Sequence, residues 1–327
     1  MIWQEVAGKA ADGGKVNNRR APDLSVVIVT PDCYQTIRKT IRHLRAQTVK
    51  DRLEIVIVAP SADTLALEES ELREFCQFRV VEVGMIRSIG EANAVGVRHA
   101  SAAMVALTED HVSPDPGWAE ALLAAHQEPW AAVGPEVRNA NPESLISWAD
   151  FLIGYGPWSE PATAGEMEHL PGHNSSYKRT ILLDYGPELP TLLQAESVLH
   201  WDLRAKGYRL YIEPKAKIAH LNFTLWSTWL PAQFYSGRLF AAVRARRWSL
   251  LRRLFYTGGA LLIPPVRLSR LLRQRPRSSG RPRMLWLRAV PVLILGLVVS
   301  ALGEMIGYSL RAGDTREKLS AFEFHRV

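Results

Sequence analysis

Cysteine is scarce in this chain of 327 residues, which contains only Cys33 and Cys76. Two cysteines without a spaced motif build neither a disulfide framework nor a zinc-ligand pattern, so we expect free thiols in a reducing compartment. The first 23 residues also lack the apolar run of a signal peptide, and we expect residues 1–23 to form a mobile arm. Both absences favour a protein whose folded part lies in the cytoplasm.

Acidic residues are missing from residues 214–303, a segment that contains sixteen lysines and arginines. The first 213 residues carry a net charge of −9, and residues 304–327 balance at zero. A basic run beside apolar segments typically faces anionic lipid headgroups. Nucleic acid is the competing partner, but the long apolar stretches of the same segment favour the membrane. We therefore expect an anionic membrane surface as a partner, and no nucleic acid.

Apolar runs and amphipathic segments alternate along the first 135 residues. β-Branched runs predict buried strands and helical spacing predicts helices between them: strands at 25–30, 53–58, 78–83, 103–107 and 130–134, and helices at 35–47, 64–75, 89–100 and 118–126. Residues 139–170 are expected to be less regular, and residues 192–206 to form a helix before short strands at 208–212 and 218–220. This alternation predicts an α/β fold with a doubly wound, mostly parallel, Rossmann-like sheet.

The chain changes character after residue 230. We expect one domain at 24–230, basic amphipathic helices and a linker at 231–283, an apolar helix at 284–310 and a polar tail at 311–327. The apolar run at 254–266 would cover only about 20 Å as a helix, against a hydrocarbon core of roughly 30 Å, so we expect it to lie in the membrane interface. Whether residues 284–310 span the bilayer or lie on it stays open. A soluble helical subdomain is the remaining alternative.

Three side chains that can bind a metal follow the strand expected at 103–107, namely Glu109, Asp110 and His111. Ligands collect at the carboxyl ends of strands in open α/β sheets. Carboxylates and an imidazole placed there can hold a divalent cation, and the cation can hold a diphosphate. An ordinary strand-to-helix turn, in which Asp110 or Ser113 caps the helix, explains the same residues. The local sequence leaves both interpretations open.

Six segments in the same order resemble family 2 glycosyltransferases with the GT-A fold. They are the strand at 26–29, the stretch 47–58, the helix at 90–97, the turn at 109–118, the segment 171–179 and the region 196–220. The resemblance covers about residues 24–245. Three departures from the family pattern are present: Ala59 and Pro60 replace an acidic pair, His111 ends the Asp-x-Asp motif, and Ala195 replaces an acid before Glu196.

The resemblance implies a membrane-associated, inverting, metal-dependent transferase with a cytoplasmic catalytic domain. Its substrates would be a nucleotide-sugar and a lipid-linked or cell-surface glycan acceptor. Glu196 would be the general base that deprotonates the acceptor. The other expected roles are metal binding by Asp110, His111 and His220, sugar orientation by His173 and Asn174, and donor binding by Thr30, Asp32, Ser61, Asn93 and Glu109. Because imidazole is a poor ligand for a hard ion, His111 favours Mn²⁺ over Mg²⁺.

The departures also motivate a second hypothesis, a catalytically degenerate relative that binds nucleotide-sugars or serves as a scaffold. A third hypothesis, nucleic-acid binding through the arginine-rich tail, rests on charge alone. Donor hydrolysis with and without Mn²⁺, measured in the wild type and in Glu196→Gln, separates the first two hypotheses.

Overall fold

The fold is a mixed α/β sheet flanked by helices, followed by a helical region. The computed structural model describes residues 9–11, 21–273 and 283–324. The strands are β1 Lys9–Ala11, β2 Leu24–Val29, β3 Leu53–Ala59, β4 Gln77–Glu82, β5 Met104–Thr108, β6 Val112–Pro114, β7 Ala132–Asn139, β8 Gly165–Met167, β9 Ser176–Lys178 and β10 Leu210–His220. The helices are α1 Tyr34–Arg45, α2 Ala62–Leu65, α3 Ile89–His99, α4 Trp118–Ala125, α5 Leu145–Tyr155, α6 Arg179–Leu183, α7 Leu189–Leu192, α8 Glu196–Ala205, α9 Trp226–Arg244, α10 Leu250–Gly259, α11 Ile263–Arg273, α12 Arg283–Leu310 and α13 Thr315–Phe324.

The long strands share one direction, which confirms the expected sheet. Strands β4, β3, β2 and β5 pair in parallel, and so do β7 and β10. The short strand β9 lies antiparallel between β5 and β7 and joins the two parallel halves. Residues of β2 and β3 are buried along their whole length, as their continuous apolar runs predict. The carboxyl ends of β2, β3 and β5 therefore meet at one edge of the sheet.

The prediction of a helix over residues 64–75 is wrong. Helix α2 ends at Leu65, Ala66 adopts a left-handed conformation with φ 48°, and a 3₁₀ turn follows at Glu69–Glu71. The Glu71 carboxylate accepts hydrogen bonds from Arg38 Nη2 at 2.6 Å and from the Tyr34 hydroxyl at 3.0 Å. Tertiary contacts to α1 thus decide the conformation of a segment whose local composition favours a helix.

The structure also differs from other expectations. The region 139–170 contains the regular helix α5, whose first turn is capped by the Ser144 side chain. The helix expected at 192–206 begins only at Glu196, and the two strands expected at 208–220 are the single strand β10 with a register shift between Glu213 and Lys217. Part of the polar tail forms α13. In the expected N-terminal arm, strand β1 pairs with β4. The other residues of 1–20 and the linker residues 274–282 lie outside the described residues.

Helices α9 and α12 pack through glycines. A Cβ atom on Gly303 would lie 2.0 Å from the Phe234 carbonyl oxygen, and one on Gly307 would lie 2.2 Å from the Arg238 carbonyl oxygen. Such close backbone approach is possible only for residues without a side chain. The opposite face of α12 is exposed and apolar, with Ile294, Leu295, Val298 and Leu302.

One helix in the described part of the chain is long and apolar enough to cross a bilayer by length and composition alone. It comprises 23 residues at Arg288–Leu310, and its most apolar 18-residue window has a mean hydropathy of 2.2. Because 44% of its most apolar window is buried against the rest of the protein, the same properties also fit a core helix.

Candidate active site

The turn after β5 lies at the carboxyl edge of the sheet and carries the predicted Glu109–His111 cluster. The Thr40 hydroxyl of α1 donates a bifurcated hydrogen bond to the carbonyl oxygens of Asp110 and Val112, at 2.8 and 2.9 Å. The last residue of β10, His220, reaches this turn because β10 pairs with β6, with His220 opposite Val112. Residues more than 100 positions apart in the sequence therefore meet at this edge.

Three donor atoms from Glu109, His111 and His220 converge. Nε2 of His111 lies 3.2 Å from Nε2 of His220, and the Glu109 carboxylate lies 3.7 Å from the first and 3.4 Å from the second. Two ligands about 2.1 Å from one ion and at right angles lie about 3 Å apart. The spacing of these three groups fits a single divalent cation.

The partners of the two imidazoles support the same conclusion. Nδ1 of His111 lies 2.6 Å from Asp110 Oδ1, and Nδ1 of His220 lies 2.9 Å from Asn222 Oδ1. Since these oxygens accept, both Nδ1 atoms carry the proton and both Nε2 atoms present lone pairs. Two lone pairs facing each other at 3.2 Å repel unless a proton or a cation lies between them. The donor set thus fits a metal ion.

Asp110 has a different place from the one expected. Its carboxylate contacts the Nδ1 side of His111, whereas Glu109, expected to bind the donor, belongs to the converging set. Residues 110 and 111 form a turn that the Val112 N–H closes on the Glu109 carbonyl oxygen at 3.3 Å, and this turn places His111, not Asp110, beside His220. Within the described residues, the set that can hold a metal is Glu109, His111 and His220.

Glu196 begins α8 and faces a turn at Gly172–His173. Its Oε1 accepts a hydrogen bond from the His173 backbone N–H at 2.9 Å and lies 2.7 Å from His173 Nδ1. A Cβ atom on Gly172 would lie 3.1 Å from Glu196 Oε2, so the glycine leaves room for the carboxylate. His173 has a φ of 58°, which is uncommon for a non-glycine residue and often occurs at functional sites.

The charge of Glu196 controls the protonation of His173. Burial lowers the pKa of His173, but the adjacent Glu196 carboxylate, helped by Glu109, outweighs it and raises the pKa to about 9. His173 is therefore a cation at neutral pH, paired with a buried carboxylate.

Asn174 links the set of Glu109, His111 and His220 to the turn that faces Glu196. Its Nδ2 donates to Glu109 Oε2 at 2.6 Å, and it lies 3.1 Å from the Tyr155 hydroxyl. Tyr155 also packs against the His220 ring, with centroids 4.4 Å apart. The amide of Asn174 thus fixes the Glu109 carboxylate next to the turn that holds Glu196.

Glu109 and Glu196 line the same cavity, which has a volume of about 930 Å³. The cavity continues from the sheet edge into the space between α8 and helices α9 to α12. A cavity of this size can hold a drug-sized ligand or larger.

The expected donor-binding residues are less closely grouped. Asn93 lines a second cavity of only about 20 Å³ together with Glu109, Asp110 and His111. Thr30 is buried and its hydroxyl accepts from the Asp32 N–H at 3.3 Å, while Ser61 caps α2 by accepting from the Thr64 N–H at 3.1 Å. Thr30, Asp32 and Ser61 line neither of these two cavities.

Helix α13 covers the small cavity. Glu323 and Phe324 form part of its wall, and the Ser320 hydroxyl accepts from the Ile89 N–H at the start of α3. Because nucleotide-sized ligands need hundreds of Å³, a nucleotide does not fit in this cavity while α13 keeps this position.

The sequence reasoning missed several of these residues. Asn222 follows His220 by two positions at the end of β10, and this spacing was a usable signal for a histidine partner. Glu323 and Phe324 gave no such signal, because they reach the site only through the packing of α13.

Comparisons with known proteins find relatives of this chain. Residues 25–186 match the family described as glycosyl transferase family 2, so this part of the chain is a family 2 glycosyltransferase domain. Over 247 residues the chain is 24% identical to the pre-mycofactocin glycosyltransferases of two Mycobacterium tuberculosis strains, covering 73% of this chain and 51% of each relative. The chain therefore spans about half the length of these curated relatives.

A solved structure confirms the fold type. The mannosyltransferase PcManGT from Pyrobaculum calidifontis, solved with GDP-Man and Mn²⁺, superposes with a TM-score of 0.53 at 16% identity and 87% coverage of each chain. This similarity shows that the fold is the GT-A type that the sequence predicted.

Proposed function

We propose that this chain is an inverting glycosyltransferase that uses a nucleotide-sugar donor and a divalent cation. The observation that carries the proposal is the single cavity lined by Glu109, of the metal-competent set, and by Glu196. A leaving diphosphate and an incoming hydroxyl have to be handled on opposite sides of one sugar carbon, and this cavity offers a suitable group for each. The name of the Mycobacterium tuberculosis relatives supports the reaction class.

Glu109, His111 and His220 would hold the cation. When bound, a divalent cation supplies Lewis-acid stabilisation of the negative charge on the leaving diphosphate. Two imidazoles in the donor set favour Mn²⁺ over Mg²⁺, since a hard ion prefers oxygen ligands. Asp110 and Asn222 hold the two imidazoles in the tautomer that binds a metal.

Glu196 is the proposed general base. It takes the proton of the acceptor hydroxyl while the new bond forms between the acceptor oxygen and the sugar C1. The bond from C1 to the diphosphate breaks on the opposite face, the nucleoside diphosphate leaves, and the configuration at C1 inverts. His173 and Gly172 position the Glu196 carboxylate, and Asn174 orients Glu109 or the transferred sugar.

The donor nucleoside would occupy the carboxyl edge of β2 and β3, near Thr30, Asp32, Ser61 and Asn93. In the described conformation α13 occupies part of this region, so donor binding requires movement of its last turn. GDP-mannose and Mn²⁺ are the ligands named for the archaeal structural neighbour; for this chain, the donor class and the metal are part of the proposal.

We place the reaction at an anionic membrane surface on the cytoplasmic side, with a lipid-linked or cell-surface glycan acceptor. Helices α10 and α11 expose large apolar side chains between arginines, a pattern suited to the headgroup region. Because α12 packs closely on α9 through Gly303 and Gly307, we propose that α12 lies on the bilayer.

Sugar transfer from a panel of nucleotide-sugars tests the proposal, with Mn²⁺ or with a chelator. Glu196→Gln should lower the rate of transfer or donor hydrolysis by about 10²-fold or more while donor binding persists. Glu166→Gln, which changes an exposed carboxylate on β8, serves as the matched control. Donor binding without turnover in the wild type would instead indicate the catalytically degenerate relative.

A further inference from the structure

The large cavity extends well beyond the region that a donor sugar needs. Its far wall is built from α9 to α12 and includes three arginines, namely Arg244, Arg267 and Arg270. Arg244 is engaged, because its Nη1 donates to the Tyr308 hydroxyl at 2.9 Å and its guanidinium lies over four aromatic rings. The other two arginines come from α11.

The guanidinium of Arg267 makes only long hydrogen bonds with its neighbours. Its hydrogen bonds go to Ser300 Oγ and to the Ile153 carbonyl oxygen, both at 3.4 Å. Within the described residues, no carboxylate oxygen lies within 4.0 Å of it. Burial lowers the pKa of Arg267, although the more distant Glu304 opposes this effect. A part-buried guanidinium without a close anion is unfavourable unless a ligand supplies one.

Arg270 lies one helical turn after Arg267 and lines the same cavity. In the part of the chain that the structure describes, it makes no hydrogen bond or ion pair. Two guanidiniums at i and i+3 on one helix face can bind one anion together, and the planar fork of each matches the oxygens of a phosphate group.

The cavity wall beside these arginines is apolar and continues onto the surface. Phe255, Leu262 and Val266 line the cavity and are nevertheless 77%, 67% and 45% exposed. A ligand held at the arginines can therefore leave the cavity along an apolar path that opens on the face of α10 and α11.

We propose that this end of the cavity is an acceptor subsite for an amphiphile whose phosphate group binds Arg267 and Arg270 and whose apolar chain leaves past Phe255, Leu262 and Val266. The acceptor role of the subsite rests on the proposed glycosyltransferase function. The bound phosphate fixes the acceptor so that its hydroxyl reaches Glu196 through the same cavity.

Calorimetric titration of the full chain tests the subsite with dodecyl phosphate below its micelle concentration. Inorganic phosphate and dodecyl maltoside are the comparison ligands, which separate the phosphate and the alkyl contributions. We expect dodecyl phosphate to bind at least tenfold more tightly than either. Arg267→Gln and Arg270→Gln should each weaken it at least tenfold, while Arg273→Gln, on the same helix but outside the cavity lining, should change it less than twofold.

Equal losses in Arg273→Gln and Arg270→Gln would overturn the proposal, because they would show general charge attraction. Inorganic phosphate binding as tightly as dodecyl phosphate would also overturn it, since no amphiphile would then be recognised. If Arg267→Gln does not fold, Arg270→Gln still decides the test, because Arg270 is exposed and its replacement should leave the protein folded. Donor hydrolysis measured on the same samples reports on the proposed function separately, because binding of dodecyl phosphate needs neither donor nor turnover.

Discussion

Replacing His173 with asparagine should remove a pH-dependent part of the stability of the fold. His173 lies 2.7 Å from Glu196 Oε1, and this carboxylate raises its pKa from 6.5 to about 9. One pKa unit corresponds to about 1.4 kcal/mol, so the shift corresponds to about 3 kcal/mol of stability. Asparagine tolerates the left-handed backbone at this position, so the variant tests the charge without adding strain.

The sign of the effect follows from the direction of the shift. Because the folded-state pKa of His173 lies above its unfolded value, its contribution is fully present below pH 6.5 and is lost as the pH rises through about 9. Urea unfolding at about pH 6 and about pH 10 measures this loss. We expect the stability difference between wild type and His173→Asn to shrink by about 3 kcal/mol between these pH values.

The matched control is His43→Asn, which changes a half-buried histidine on α1 remote from Glu196. The His43 variant controls for the general effect of replacing a histidine by asparagine. A His173 difference that is independent of pH would refute the assignment of a protonated His173 paired with Glu196.

Three further predictions concern the metal site, the helix packing and α13. Asn222→Leu removes the Nδ1 partner of His220 and should weaken Mn²⁺ binding about 10- to 100-fold in calorimetry; unchanged affinity would show that this partner is dispensable. Gly303→Ala should destabilise the protein by about 1–3 kcal/mol in urea unfolding, although alanine is the better helix former. Gly258→Ala, where a Cβ meets nothing within 4 Å, should be neutral or stabilising, and equal effects of the two changes would contradict the packing. Phe324→Ala should tighten nucleotide-sugar binding, because the ring narrows the cavity beside Asn93, and weaker binding would instead make Phe324 part of the donor site.

The sheet could be predicted from the sequence because its strands carry continuous β-branched runs that fit one environment. Strands β2 and β3 are buried on both faces, and their predicted limits agree with the observed ones to within one residue. The early end of helix α2 could not be predicted. The Glu71 side chain forms hydrogen bonds with Tyr34 and Arg38, which lie more than 30 positions earlier in the sequence, and these contacts hold the segment after α2 outside a helix. Local propensity has no access to such contacts.

In the candidate site too, the local sequence predicted some features and tertiary contacts decide the others. The residue types at 109–111 indicated a metal site, but which of them face the centre depends on a turn that Thr40 fixes from α1. The distance between His111 and His220 depends on the pairing of β6 with β10. Arg267 is one of sixteen basic residues in its segment, and only the packing of α11 against α5 and α12 distinguishes it.

Calorimetric titration with nucleotide-sugars tests the central claim most directly, namely that Glu109, His111 and His220 hold the cation on which donor binding depends. The wild type should bind one nucleotide-sugar in Mn²⁺ and lose at least tenfold in affinity in the presence of a chelator. His220→Ala should bind the donor weakly and equally in both conditions. Donor binding that stays tight and Mn²⁺-dependent in His220→Ala would contradict the account.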